Sequence, residues 1–437
     1  MSDKKAILFI DTSLNLSHAL ALGRAGEKVY YYSSGVSAYP SIEENINGYG
    51  FKEIIKVDDW AKVIKECSTV IFGDTGFGSL VDTIRAAEYN VWGAPYEVES
   101  IEFDRIFFRE KFKELGIATT EAVVIHGIDG VMEFLKKNKG KYYIKTNKYR
   151  GSVETFGTDS AGEAATLLYP AFPVMGDEID FIIEPEVKDA LEIGADAFFN
   201  GTKFLKKYFF TCEKKGAGTM GVVVEHSVLD GFMEKITPYL KEQKYFGSFA
   251  FEGFWNGKEF TVSDPCPRIP NPCSASWILA IKDYGKFMKG VADGSVDDFE
   301  IRHPYQIQFA AFADDAKRWR KIEIDEKKLD REYRSIEFRK AVKIGNEYFY
   351  VPCDDLLASV CGAGDSWEDA MKNAVEASDY IKAYCTGVDT SAQLYFTESL
   401  KVMKEYGIEL IPASNKSIKA QAEEVNKIIA SKHLEEK

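Results

Sequence analysis

The sequence is poor in the residues that build disulfide frameworks and many metal sites. Its 437 residues include seven cysteines, an odd number with no Cys-x-x-Cys pair, and five scattered histidines. We therefore expect neither a disulfide scaffold nor a structural zinc site. A catalytic histidine pair is not indicated either.

Basic clusters and long apolar runs are also missing. The formal net charge of −14 argues against a nucleic-acid or anionic membrane partner, because a surface of phosphates would repel the chain. The first apolar run, residues 6–10, is too short for a signal peptide or a membrane span. Together with the few cysteines, this pattern favours a cytoplasmic protein.

The chain does have the composition of a folded protein with several domains. Apolar residues make up 45% and aromatic residues 14% of it, and its length suits two to four domains. Strand-like and helical segments alternate over the first hundred residues. This alternation predicts an α/β fold with a parallel sheet, in which ligands meet the carboxyl ends of the strands.

A glycine-rich stretch, residues 73–78, follows one of these predicted strands directly. It has two interpretations: a nucleotide-binding loop, or simply a tight turn between a strand and a helix.

Residues 101–200 hold two candidate nucleotide-binding segments. A predicted strand ends in Lys145, and a basic turn with Arg150 and Gly151 follows. The turn could present cations and backbone N–H groups to a triphosphate, or it could be a solvated loop. Further on, Glu184 and Glu186 flank a proline that ends strand pairing and leaves the backbone open to a partner such as a nucleobase edge.

The most informative segment is a predicted hairpin over residues 251–268. An Asn-Gly pair marks its tight turn. Glu252 and Asp264 lie on either side of that turn, so we expect them side by side on paired strands. Two hard oxygen ligands with room for water and phosphate suit a nucleotide-bound Mg²⁺, and Arg268 lies within reach of the anion. The alternative is an acidic surface hairpin.

Several motifs carry a resemblance to a known family. They are the stretch 72–83, the segment Ile183-Glu-Pro-Glu-Val187, and Gly362-Ala-Gly-Asp-Ser-Trp-Glu-Asp-Ala370. In their order and spacing the chain resembles the ATP-grasp superfamily, and within it the phosphoribosylamine–glycine ligase family, over most of residues 1–385.

The resemblance implies three units. Residues 1–100 would form a Rossmann-like domain, and 101–305 the ATP-grasp domain with a mobile nucleotide-binding part at 118–187. Residues 306–437 would form a small α+β closing domain with an extra helix at 416–432.

It also implies roles around the nucleotide base and sugar. Arg109 would touch the phosphates, and Lys145 would lie between adenine and phosphate. Glu184 would accept a hydrogen bond from the adenine amino group, with the backbone of Glu186 and Val187 along the ring edge. A further acid, Glu192, would bind the ribose hydroxyls.

At the phosphate end, the resemblance makes Lys214 a phosphate-facing lysine and Arg268 the active-site arginine. Glu252 and Asp264 would hold Mg²⁺ or Mn²⁺. The implied activity is ADP-forming ligation of a small acid to an amine through an acyl phosphate, in a monomer or homodimer.

Departures from the family pattern concentrate in the acceptor half. Cys266 stands where the family has an asparagine, and Asp264 where a glutamate is more common. The acid and the amine could therefore differ from glycine and phosphoribosylamine. A second hypothesis follows: a diverged protein that binds nucleotide without turnover and serves as a binding or assembly component.

Overall fold

The computed structural model confirms the predicted α/β fold class. It describes the following residues: 6–34, 45–148, 154–313, 317–352, 355–381, 385–388 and 390–415. The basic turn with Arg150 and Gly151 and the predicted helix at 416–432 lie outside the described residues.

A five-stranded parallel sheet opens the chain, as the alternating pattern predicted. Its spatial order is β3-β2-β1-β4-β5. The strands are β1 (Ala6–Asp11), β2 (Lys28–Ser33), β3 (Ile55–Lys56), β4 (Cys67–Phe72) and β5 (Asn90–Trp92), and the first helices are α1 (Leu16–Arg24) and α2 (Gly78–Ala86). All six residues of β1 are buried, as expected for a central strand covered on both faces.

Two helices follow the parallel sheet. They are α3 (Tyr96–Phe103) and α4 (Arg105–Glu114). Asp104 separates them, because its side chain accepts hydrogen bonds from the backbone N–H groups of Ile106 and Phe107 and so caps α4.

A four-stranded sheet forms the next unit, in the order β6-β9-β7-β8. Its strands are β6 (Val123–His126), β7 (Tyr142–Thr146), β8 (Thr155–Thr158) and β9 (Asp180–Pro185), and its helices are α5 (Ile128–Lys137) and α6 (Ala161–Ala171). Apolar residues of both helices share one core with β7 and β9. Lys145 and Glu184 thus lie on neighbouring strands of one small sheet.

The largest sheet is antiparallel, with the order β14-β13-β10-β11-β12-β15-β20-β17 and β21 beside β15. Its first strands are β10 (Leu191–Asn200), β11 (Tyr208–Lys214), β12 (Gly218–Val224), β13 (Phe246–Trp255) and β14 (Phe260–Cys266). Its later strands are β15 (Tyr305–Ala313), β17 (Arg334–Phe338), β20 (Leu356–Gly364) and β21 (Cys385–Val388). The sheet continues through the unit boundary predicted at residue 305, since β15 pairs with β12.

The remaining elements surround this sheet. A three-stranded sheet contains β16 (Arg320–Ile322), β18 (Ala341–Ile344) and β19 (Glu347–Tyr350). The helices are α7 (Asp230–Glu242), α8 (Trp277–Ala280), α9 (Tyr284–Asp293), α10 (Trp367–Ser378) and α11 (Ala392–Glu405). Across the described ranges, none of the helices combines the length and the apolar character of a membrane span.

An aromatic cluster joins the parallel sheet to the large sheet. Phe198 of β10 contacts Trp277 and Phe287 at ring-centroid distances of 4.9 and 4.8 Å, and Trp92 of β5 lies 6.1 Å away. Edge-to-face packing of this kind fixes relative orientation as well as burying area. The carboxyl ends of the parallel strands are thereby held beside the hairpin of β13 and β14.

Candidate functional site

The two acids of the predicted hairpin do face each other. Glu252 of β13 is the direct partner of Asp264 of β14, and the turn between the strands is closed by Asn256. A register shift between Glu252 and Gly253 creates this pairing. Because side chains alternate between sheet faces, the extra residue of the bulge, Ser263, brings Asp264 to the face of Glu252.

Gly194 of β10 makes room for this pair. It lies opposite Glu252, and a Cβ placed on it would come 2.6 Å from the carbonyl oxygen of Phe251 and 3.2 Å from the Glu252 Cγ. A larger residue there would push Glu252 away from Asp264.

Asp264 lies among cations. Burial acts to raise its pKa, but Lys145, Arg105, Lys215 and Arg268 outweigh this and hold the pKa below the ordinary value. The ammonium of Lys145 also donates to the carbonyl oxygen of Ser263 at 3.1 Å. The predicted nucleotide lysine therefore lies directly against the bulge that positions Asp264.

The lysine beside the acidic pair is Lys215. Its Nζ is 3.0 Å from Glu252 and 3.9 Å from Glu192, and these acids, Glu252 above all, raise its pKa. Lys214, the residue chosen from the sequence, instead places its Nζ 6.0 Å from the ring centroid of Tyr395. The structure thus brings Lys215, and not Lys214, to the acidic pair.

The two-residue period of a β-strand could have identified Lys215 from the sequence. Thr211, Glu213 and Lys215 alternate with Cys212 and Lys214 along β11 and the residue after it, so the first three share the face of the acidic pair. Glu213 hydrogen-bonds with Glu252, and burial, followed by the charge of Glu252, raises the pKa of Glu213 well above its ordinary value. Glu213 is therefore a third carboxyl group beside the predicted metal pair.

A cavity of about 240 Å³ opens in front of these residues. Its lining includes six acids and two cations: Glu102, Glu154, Asp196, Glu213, Glu252, Asp264, Lys215 and Arg268. Sequence reasoning missed Asp196, which is buried and accepts a hydrogen bond from the indole N–H of Trp277 at 2.9 Å. Burial raises the pKa of Asp196 to about 7, opposed by that hydrogen bond.

Arg268 lies at the wall between this cavity and the parallel sheet. Its Nε donates to Glu102 at 2.9 Å and lies 3.2 Å from Asp74. Burial alone would lower the pKa of Arg268, but Cys266, Glu102 and Asp74 raise it. The guanidinium is therefore a fixed positive charge beside the acids.

The glycine-rich loop binds the protein's own carboxylate. Glu99 of α3 accepts hydrogen bonds from the backbone N–H groups of Gly76 and Phe77, at 2.8 and 3.1 Å. A carboxylate at the start of α2 takes the place that a phosphate would need. This geometry favours the interpretation of the loop as a strand-to-helix turn.

The predicted adenine position is closed. Glu184 is buried and forms ion pairs with Arg109 and with Lys145, the latter at 3.3 Å. The cleft that these three residues line with Ser263 has no space for a water-sized sphere. Arg109 also donates hydrogen bonds to Thr120. The three predicted residues therefore lie close together, but they pair with one another.

The segment after β9 is only partly open. The backbone N–H of Glu186 donates to the carbonyl oxygen of Lys141 at 3.0 Å, and its carboxylate pairs with the side chain of Lys141 at 2.9 Å. Glu186 could therefore offer a base edge its carbonyl group but not its N–H. The side chain of Val187 is exposed.

Two cysteines lie along the cavity. Cys266 shares the face of Asp264, two residues away on β14. Cys273 donates to Glu213 at 3.4 Å and accepts from Thr219 at 3.1 Å, and burial raises the pKa of its thiol. Cys273 therefore remains a neutral thiol and is not an activated nucleophile.

The acidic pair suits a magnesium ion that takes its remaining ligands from a nucleotide and water. Throughout the described ranges, no three His, Cys, Asp or Glu side chains form a cluster that could hold a metal alone. Two opposed carboxylates with an adjoining cavity supply hard oxygen ligands and leave positions for water and phosphate, as Mg²⁺ requires.

Comparison with solved structures defines the class of fold. No protein-family model and no curated protein matches the sequence. Solved structures do match, and they show that the chain has the ATP-grasp fold predicted from its motifs.

Among these structures, phosphoribosylamine–glycine ligase from Thermotoga maritima superposes with a TM-score of 0.65 and 17% identity, over 88% of this chain and 98% of that one. The biotin carboxylase domain of 2-oxoglutarate carboxylase from Hydrogenobacter thermophilus, in complex with magnesium ADP, ADP and bicarbonate, gives 0.62 and 12%, over 87% and 91%. N5-carboxyaminoimidazole ribonucleotide synthetase from Thermus thermophilus gives 0.56 and 15%, over 86% and 98%.

Proposed function

We propose that the protein is an ATP-dependent, ADP-forming ligase that joins a small carboxylic acid to an amine. The observation that carries this proposal is the pairing of Glu252 with Asp264 in a cavity that also holds Lys215 and Arg268, with Lys145 against the Ser263 bulge. The fold shared with enzymes named as ligases, synthetases and carboxylases supports it.

The charges suit phosphoryl transfer. A carboxylate oxygen of the acid would attack the γ-phosphorus of ATP, release ADP and form an acyl phosphate. Lys145, Lys215 and Arg268 would stabilise the negative charge on the transferring group, as preorganised cations do in such reactions. Glu252 and Asp264 would hold Mg²⁺, which when bound screens the repulsion between carboxylate and triphosphate.

The second step needs an uncharged amine. The amine nitrogen would attack the carbonyl carbon of the acyl phosphate and expel phosphate, after a proton has left the amine. Asp196 lines the same cavity, and its pKa of about 7 suits a group that takes up a proton near neutral pH.

Nucleotide entry requires the closed cleft to open. The ion pairs of Glu184 with Arg109 and Lys145 would have to separate, with the four-stranded sheet moving away from β14. The predicted roles of Arg109 and Glu184 toward ATP belong to that opened state, and the roles of Glu192, Arg150 and Gly151 stay predictions. Lys215 replaces Lys214 as the proposed phosphate-facing lysine. A monomer or homodimer remains our expectation.

The test is phosphate release from ATP across a panel of amino acids and amines. We expect ADP and phosphate to form only when a matching acid and amine are present with Mg²⁺. Magnesium-dependent nucleotide binding without turnover across the panel would favour the second candidate, a nucleotide-binding component. That candidate is supported by Cys266, a soft ligand on the face of Asp264.

A further inference from the structure

A second cavity lies behind the candidate active site. Its volume is about 570 Å³, within the range of small-molecule sites. It lies between the carboxyl end of α1, the start of α9, and β17, and it shares no lining residue with the acidic cavity.

The lining of this second cavity is rich in cations for a protein with a net charge of −14. It contains four cationic side chains, Arg24, Lys286, Arg302 and Arg331, and three acidic ones, Glu27, Asp283 and Glu337.

Two of these acids are already neutralised. Glu337 accepts two hydrogen bonds from Arg24, at 2.9 and 3.1 Å, and Glu27 pairs with Lys289 at 2.6 Å. A carboxylate held by its own cation no longer repels an incoming anion at full strength.

Three of the cations have no acidic partner. Within the part of the chain that the structure describes, Lys286, Arg302 and Arg331 form no ion pair. Arg302 donates only to neutral carbonyl oxygens, those of Leu279 at 3.2 Å and Ile278 at 3.5 Å. With Glu27 neutralised by Lys289 from outside the lining and Asp283 as the single opposing acid, the cavity has an excess of two positive charges.

A buried hydroxyl also lies in the wall of this cavity. Ser335 of β17 is 1% exposed and lines the cavity, and its Oγ has no hydrogen-bond partner of normal geometry. The thiol of Cys361, opposite Ser335 on the paired strand β20, is a weak partner. A buried hydroxyl left in this state favours a ligand with a strong acceptor oxygen.

We propose that this cavity is a binding site for a small dianionic phosphate compound, held by Lys286, Arg302, Arg331 and the Ser335 hydroxyl. Phosphate oxygens can accept hydrogen bonds from guanidinium groups in paired geometry and from a hydroxyl group at the same time. The two negative charges of the ligand would balance the local excess of positive charge.

The site adjoins the wall of the acidic cavity. His18 bridges Tyr284, which lines the second cavity, and Ser274, with ring-nitrogen contacts of 2.6 and 2.9 Å. Ser274 follows Cys273, which lines the acidic cavity. The ligand would thus lie behind the candidate active site without entering it.

Inorganic phosphate, titrated calorimetrically into the full chain, tests the proposal. The double variant Lys286→Gln/Arg331→Gln removes two exposed cations and should raise the Kd at least tenfold, since the loss of even one hydrogen bond to a charged group, worth about 1.5–3 kcal/mol, corresponds to a factor of ten or more. The control is Lys282→Gln, an exposed lysine one residue outside the lining, which should leave the Kd unchanged.

A second variant separates the two cavities. Lys215→Gln should leave phosphate affinity intact if the anion binds between α1 and α9. The proposal is overturned if the wild-type protein takes up no phosphate, if Lys215→Gln abolishes the binding, or if the double variant binds as tightly as the wild-type protein.

Discussion

Two adjacent lysines offer a matched test of the candidate active site. Lys215 lies at the acidic pair and Lys214 over Tyr395. Replacing each by glutamine removes the same charge one residue apart. Only the loss at Lys215 should impair ATP binding and turnover.

The expected magnitude follows from the contacts of Lys215. Its ion pair with Glu252 is 3.0 Å long, but the lysine side chain is 61% exposed, so the pair contributes only about 0–1 kcal/mol to stability. Toward a phosphate, one lost charged hydrogen bond raises the Kd for ATP by about tenfold or more. Loss of one preorganised charge partner lowers turnover by about 100- to 1000-fold.

The assay combines calorimetry with ATP in Mg²⁺, phosphate release, and thermal unfolding. Lys215→Gln should bind ATP weakly while melting within a few degrees of the wild-type protein, and Lys214→Gln should match the wild-type protein in all three. Equal effects of the two substitutions, or a larger effect at Lys214, would refute the assignment of Lys215 to the phosphate site.

Three further substitutions probe the same cavity. Asp264→Asn should abolish ATP turnover yet leave the circular dichroism spectrum intact, since it removes a proposed magnesium ligand and no core packing; undiminished phosphate release would disprove the metal assignment. Cys266→Asn should keep or raise turnover, and a loss would mean that the thiol has a role of its own. Asp196 has a pKa raised to about 7 by burial, so the native state binds more protons than the unfolded state between about pH 4 and 7, and stability falls as pH rises through that window. Between pH 5 and pH 8, the free energy of unfolding of Asp196→Asn, measured by denaturant titration, should therefore fall less than that of the wild-type protein. An equal fall in both proteins would show that the buried carboxylate of Asp196 is not the source of the pH dependence.

Periodicity and turn chemistry predicted much of the fold. The alternation of the first hundred residues indicated a parallel sheet, and the Asn-Gly pair placed the hairpin of β13 and β14. These signals are local, because strand and turn preferences depend on neighbouring residues.

The details of the site depend on contacts between distant segments. Nothing local in the sequence marks the bulge at Ser263 or the capture of the glycine loop by Glu99, because each needs a partner from another strand or helix. The choice of Lys214 over Lys215 has a different origin. Lys214 was chosen from the spacing of the family pattern, whereas the two-residue period of β11 indicates Lys215.

Manganese offers the most direct test of the account. A crystal of the protein grown with Mn²⁺ and a non-hydrolysable ATP analogue would locate the metal by its anomalous scattering. We predict a peak between the carboxylates of Glu252 and Asp264, with the analogue's phosphates facing Lys145 and Lys215. A nucleotide bound with its metal away from these two acids would contradict the proposed ligase site.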